Sequence, residues 1–209
     1  MSGETKKLLE RIAGERVPGP APTFTVLHVL RAIELVSEKP VGRARLAEEL
    51  KVGEGAVRTI IHRLKKAGLL LTSKTGCKLT IKGQKLLEEC RKIFGKRAKI
   101  EEIELMSAPF NFAILAKKCG DKVKFGLEQR DAAVKAGAKG ATTIIFKSGR
   151  LVIPSVSDDL SRDYPKTAER LVSLLQPEEN DVIVVAGADS LELAEYGAAA
   201  AIWTFFDDC

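Results

Sequence analysis

At 209 residues the chain has room for one large domain or two small ones, and its 45% hydrophobic content excludes wholesale disorder. The formal net charge of +6 is uneven: residues 1–97 carry 21 Lys/Arg against 10 Asp/Glu, and residues 98–209 carry 13 against 18. That is +11 beside −5, which argues for a basic module joined to an acidic one, each with its own partners. Four scattered cysteines (Cys77, Cys90, Cys119 and Cys209) with no CxxC pair, and only two histidines, argue against a disulfide frame, a zinc site or a histidine-rich metal centre.

The opening stretch, MSGETKKLLERIAGERV, has no apolar run of signal-peptide length. The longest apolar run, YGAAAAIWTFF, is too short to span a bilayer, and the scattered cysteines, read as free thiols, lead us to expect a reducing cytoplasm. Residues 4–15 fit a short amphipathic helix, and VPGPAP, with three prolines in six positions, stops it as a stiff lead-in. We set residues 1–19 apart on that ground. Val26, Val29, Leu30 and Ile33 follow the i, i+3, i+4, i+7 helical template. Leu46, Ala47 and Leu50 line a second, shorter helix, and KVGEG makes a tight turn. Val57, Ile60, Ile61 and Leu64 then repeat the template in a third helix, which Gly68 closes. Two short strands, 69–72 and 77–81, flank the polar turn Ser73-Lys74-Thr75-Gly76. A helix over about 84–94 leads to GKRAK, read as a basic linker. Three helices followed by a hairpin is the order of a winged helix-turn-helix, assigned to residues 20–97.

The second half, 98–209, reads differently. NFAILAKK, ATTIIFKSGRLVIPS and DVIVVAGA are β-rich, the middle one turning through Lys147-Ser148-Gly149, with helical patterns at about 125–136, 163–175 and 190–206. This predicts a compact α/β or α+β domain with a mixed sheet, for regulation or dimerisation. The apolar helix with Ile202, Trp203, Phe205 and Phe206 must be buried, in a core or against a second copy, and a homodimer is expected through it.

The chemistry concentrates in Val52–Gly83, where Arg58, Arg63, Lys65, Lys66, Lys74, Lys78 and Lys82 oppose only Glu54. A solvated helix face usually mixes signs, whereas a surface that meets phosphate looks like this one. With Val57, Ile60, Ile61 and Leu64 inward, Arg58, Thr59, His62, Arg63 and Lys66 are expected to face or flank duplex DNA. Arg can grip guanine O6 and N7, Thr a thymine methyl, and Glu54 could accept from cytosine N4. Lys74 and Lys78 on the hairpin suit phosphate contacts, or else protection of a strand edge.

In the second half, Arg130 and Asp131 are read as an ion pair or, with Gly187 and Ser190 at a strand's carboxyl end, as part of a small-molecule site. Asp189 and Glu192 match a capping box in form. GAKGAT lacks the ending of a P-loop, and no Ser/His/Asp or Cys/His set is present, so no catalytic residue, metal or cofactor is expected.

PGPAPTF, PVGRARLAEELKVGEGAVRTIIHRLKKAGLL, LTIKG and QRDAAVKAGAKGATTII resemble an uncharacterised archaeal family of two-domain proteins. Its members look like transcriptional regulators at the N-terminus and carry a C-terminal domain of unknown function. The resemblance implies the winged helix and a DNA partner, and is silent on ligand. The reading from sequence is therefore a DNA-binding transcriptional regulator, not an enzyme, with a possible small-molecule effector and no membrane partner. Two alternatives stay open: an RNA- or protein-binding adaptor that docks through the winged helix, and an enzyme that regulates its own gene.

Overall fold

The apolar templates that mark the first helices become the core of a basic unit. The computed structural model describes residues 2–14, 23–101 and 103–206, which fall into two compact units, Met1–Cys90 and Arg91–Cys209. In the first, α1 (Ser2–Gly14) packs on α2 (Val26–Glu38) and on α4 (Glu54–Lys66), with Leu9 and Ile12 buried. At the start of α2, Nδ1 of His28 accepts the Thr25 N–H at 3.0 Å, satisfying a donor that the helix itself leaves open. Helix α3 (Arg43–Leu50) precedes the turn into α4, where Lys51, not a glycine, takes the left-handed conformation (φ 52°). Val57, Ile60, Ile61 and Leu64 form the inward stripe of α4 as the periodicity requires. Gly68 (φ 72°) ends that helix, and the Leu69 N–H reaches back to the Leu64 carbonyl at 2.9 Å.

The hairpin of β1 (Leu70–Ser73) and β2 (Gly76–Leu79) follows, and α5 (Ile81–Arg91) closes the unit. Val41, between α2 and α3, exchanges both backbone hydrogen bonds with Cys77 and so joins the hairpin at its base. Gly76 lies where a Cβ would fall 2.8 Å from the Val41 backbone, so no larger residue fits that crossing.

The second unit is α+β, built on a five-stranded sheet in the order β3-β4-β7-β5-β6. Its strands are β3 (Phe94–Ile100), β4 (Phe110–Ala116), β5 (Gly140–Lys147), β6 (Arg150–Val152) and β7 (Val182–Ala188). Every pairing is antiparallel, so the expected mixed sheet is corrected. On one face Ala113, Leu115, Ile183 and Val185 pack with Leu160 of α7 (Leu160–Asp163) and with Ala168, Leu171 and Leu175 of α8 (Pro165–Leu175). The other face carries α6 (Leu127–Lys135) and α9 (Leu191–Trp203). With both faces covered, all seven residues of the central strand β7 are buried.

Three features differ from expectation. GKRAK is not a linker: it lies within β3, an edge strand paired with β4, so the boundary falls at Cys90/Arg91 rather than near 97. A bulge between Phe94 and Arg97 and the lysines of an edge strand hide its alternation. Residues 2–14 are not a separate lead-in but part of the first unit's core, while VPGPAP, expected to stop the first helix, lies outside the described residues. Helix α9 is covered within its own unit: Ala194, Gly197, Ala198, Ala201, Ile202 and Trp203 are buried, and Trp203 stacks on Phe206 with ring centroids 4.9 Å apart. Its apolar run is therefore accounted for by packing within the unit, without calling on a second copy.

Candidate nucleic-acid interface

Once the α4 stripe is committed to the core, the opposite face is left to solvent, and that face is basic. Arg58, His62, Lys65 and Lys66 are exposed on α4, with Glu54 and Gly55 exposed in its first turn. A Cβ at Gly53 or Gly55 would meet nothing within 4 Å, so the amino end of the helix stands clear for a close approach. Its amides and positive dipole end favour an anion there. Thr59 is half-buried, and its hydroxyl donates to the Gly55 carbonyl at 3.0 Å, which leaves its methyl as the group to offer a partner.

Lys74 sits in the two-residue turn between Ser73 and Gly76, and Lys78 on β2 pairs in register with Leu71. Both lysines are exposed. The hairpin is tied to α4: the Lys65 ammonium donates to Thr72 Oγ1 at 3.1 Å. Lys82 donates to the Ala67 carbonyl at 3.0 Å, serving the carboxyl end of α4, where a cation is favoured. Thus Arg58, Thr59, His62, Lys66, Lys74 and Lys78 stand on the solvent side of one unit.

Arg63 does not, and its assignment is corrected. It is 3% exposed, and its guanidinium donates to the carbonyls of Ile12 (2.9 Å) and Ala13 (2.7 Å) at the end of α1. Its guanidinium carbon also lies 5.4 Å from the centre of the Phe24 ring. A buried arginine needs fixed acceptors, and a helix carboxyl end supplies them. The single sequence cue was its place beside the apolar stripe, one residue before Leu64.

The ligand site expected in the second unit dissolves. Arg130 binds its neighbour Asp131, at 3.0 and 3.3 Å, on the exposed side of α6. Gly187 is buried, and a Cβ there would strike Met106 Sδ at 2.3 Å and Ala108 at 2.7 Å, so this chain already fills that strand end. Ser190 is the N-cap of α9, accepting the Leu193 N–H at 3.2 Å, while Asp189 pairs with Lys139 at 2.6 Å. The cap is thus Ser190, not Asp189. Cys77, Cys90 and Cys119 are buried. Burial pushes the Cys77 thiol up despite Lys65 and Arg43 nearby, and burial with Glu34 and Glu89 pushes Cys90 up to about 12. Neither is a thiolate at neutral pH.

Comparison with known proteins bears on both units. Residues 25–94 match the family model of the CggR N-terminal DNA binding domain, and residues 107–205 match that of a domain of unknown function (DUF4443). Among solved structures, a hypothetical protein from Pyrococcus horikoshii OT3 is similar at 27% identity and a TM-score of 0.70, over 88% of this chain and 94% of that one. No curated protein matches the chain. The two matched regions and this neighbour fit an uncharacterised two-domain family with a DNA-binding N-terminal domain. Among the described residues, no helix is long and apolar enough to cross a membrane.

Proposed function

From a DNA-binding N-terminal domain joined to a domain of unknown function, we propose that the chain is a transcriptional regulator that reads duplex DNA as a winged helix. One observation carries the reading: the region that matches a DNA-binding domain is the region whose solvent face is basic along both α4 and the hairpin. In this mechanism α4 enters the major groove. Arg58 and His62 reach base edges there, and Thr59 offers its methyl to thymine. Lys66, Lys74 and Lys78 hold phosphates and set the register without reading sequence. A DNA partner would place the chain in the cytoplasm, as the composition suggested.

The second unit would then modulate the first, through a small-molecule effector, through dimerisation, or both. The adaptor reading has one observation in its favour, since Leu71 and Ile81 are 51% and 75% exposed beside the hairpin lysines. Selection from a random duplex pool with the full-length protein separates the two. A regulator enriches a sequence motif at near-physiological salt, whereas an adaptor returns an unenriched pool.

A further inference from the structure

The second unit carries a groove of about 720 Å³ where β3 begins and β4 ends. Five cations line it, Arg91, Lys92, Lys96, Lys117 and Lys118, against two carboxylates, Glu178 and Asp181. The sequence concealed this grouping, because three of the five lie before residue 98 and were counted with the basic half. Residues 91–209 hold 17 Lys/Arg and 18 Asp/Glu, so the groove is a positive site in a unit of net charge −1.

Local structure accounts for part of it. Asp181 is 3% exposed, and its two oxygens accept the backbone N–H groups of Lys118 (2.9 Å) and Glu178 (3.0 Å), so it holds the turn and leaves the ammonium groups to others. Lys118 reaches Glu178 at 3.4 Å, and Lys96 donates to the Gln176 side chain at the end of α8. Lys117, exposed, pairs with no carboxylate among the described residues. Like charges lining one groove repel one another, a cost that an anionic ligand would offset. The volume lies within the roughly 300–1,000 Å³ of small-molecule sites. The floor is apolar, from Phe94, Leu115 and Leu175. Lysine ammonium groups act as point charges toward phosphate oxygens and need no planar partner.

We propose that this groove binds a small ligand through an oligophosphate group, with residues that take no part in the α4 surface. The probe is tripolyphosphate, titrated calorimetrically into the full chain. Wild type is expected to bind it at one site, and the pair Lys92→Glu with Lys117→Glu to weaken it at least tenfold. The milder Lys117→Gln, at an exposed position, is expected to weaken it several-fold and guards against misfolding of the double variant. Arg58→Ala should leave tripolyphosphate binding unchanged, so the groove can fail while the DNA reading stands, and the reverse. Absence of binding to wild type, or loss with Arg58→Ala in place of the groove variants, overturns the proposal. Loss of affinity for a random duplex in the groove variants also overturns it, and assigns these lysines to DNA phosphates.

Discussion

Helices α4 and α9 are both thirteen residues long, and they spend their side chains differently. In α4 one stripe is enough for the core, so the other face is free to carry charge, and its exposed Arg58 and His62 need another explanation. In α9, running between β4, β7 and α6, small and aromatic residues are consumed by packing on nearly every side. A functional surface is legible where packing leaves side chains unused. An apolar helix without such a remainder says only that it is buried.

Arg63 crosses that division, since it is a charge spent on packing, and its removal should have the largest effect. Arg63→Ala leaves the Ile12 and Ala13 carbonyls without their donor inside the unit, at a cost of about 2–3 kcal/mol in urea unfolding. A loss below about 0.5 kcal/mol would return Arg63 to the solvent face and break the comparison. The same logic applies to α9 through Gly197, where a Cβ would fall 2.6 Å from the Ala138 Cβ. Gly197→Val should therefore cost about 1–3 kcal/mol by overpacking and should leave DNA binding by the folded protein unchanged.

How much of this was legible follows from the same accounting. The stripes of α2 and α4 and the hairpin turn at Ser73–Gly76 come from local periodicity and turn chemistry, and they agree with the structure to within a few residues. Strand β3 was hidden because its partner β4 lies across a loop and its lysines imitate a linker. Burial of Arg63 depends on carbonyls fifty residues away, which no local pattern encodes. The Arg130, Asp131, Gly187 and Ser190 grouping failed for the same reason: strand-end position suggested a cleft, and the Met106–Ala108 segment fills it.

A smaller effect sharpens the comparison at the edge of the first unit. Burial lowers the His28 pKa from its ordinary 6.5, and Nδ1 must stay unprotonated to accept the Thr25 N–H. The unfolded chain therefore takes the proton more readily than the folded one. Stability contributed by His28 is present above about pH 6.5 and is lost as the pH falls through the lower folded value. Unfolding midpoints measured from pH 7.5 to 5.5 should fall for wild type and fall less for His28→Asn; parallel curves would remove His28 from this role.

The central claim is that the basic face of α4 and the hairpin divides into readers and anchors. A salt titration of wild type, Arg58→Ala and Lys74→Ala, on a selected duplex and a random one, measures that division directly. Arg58→Ala should lose about 1–3 kcal/mol on the selected duplex and little on the random one. Lys74→Ala should weaken both alike and flatten the log K against log salt slope by about one unit. Equal affinity of wild type for the two duplexes would contradict the account.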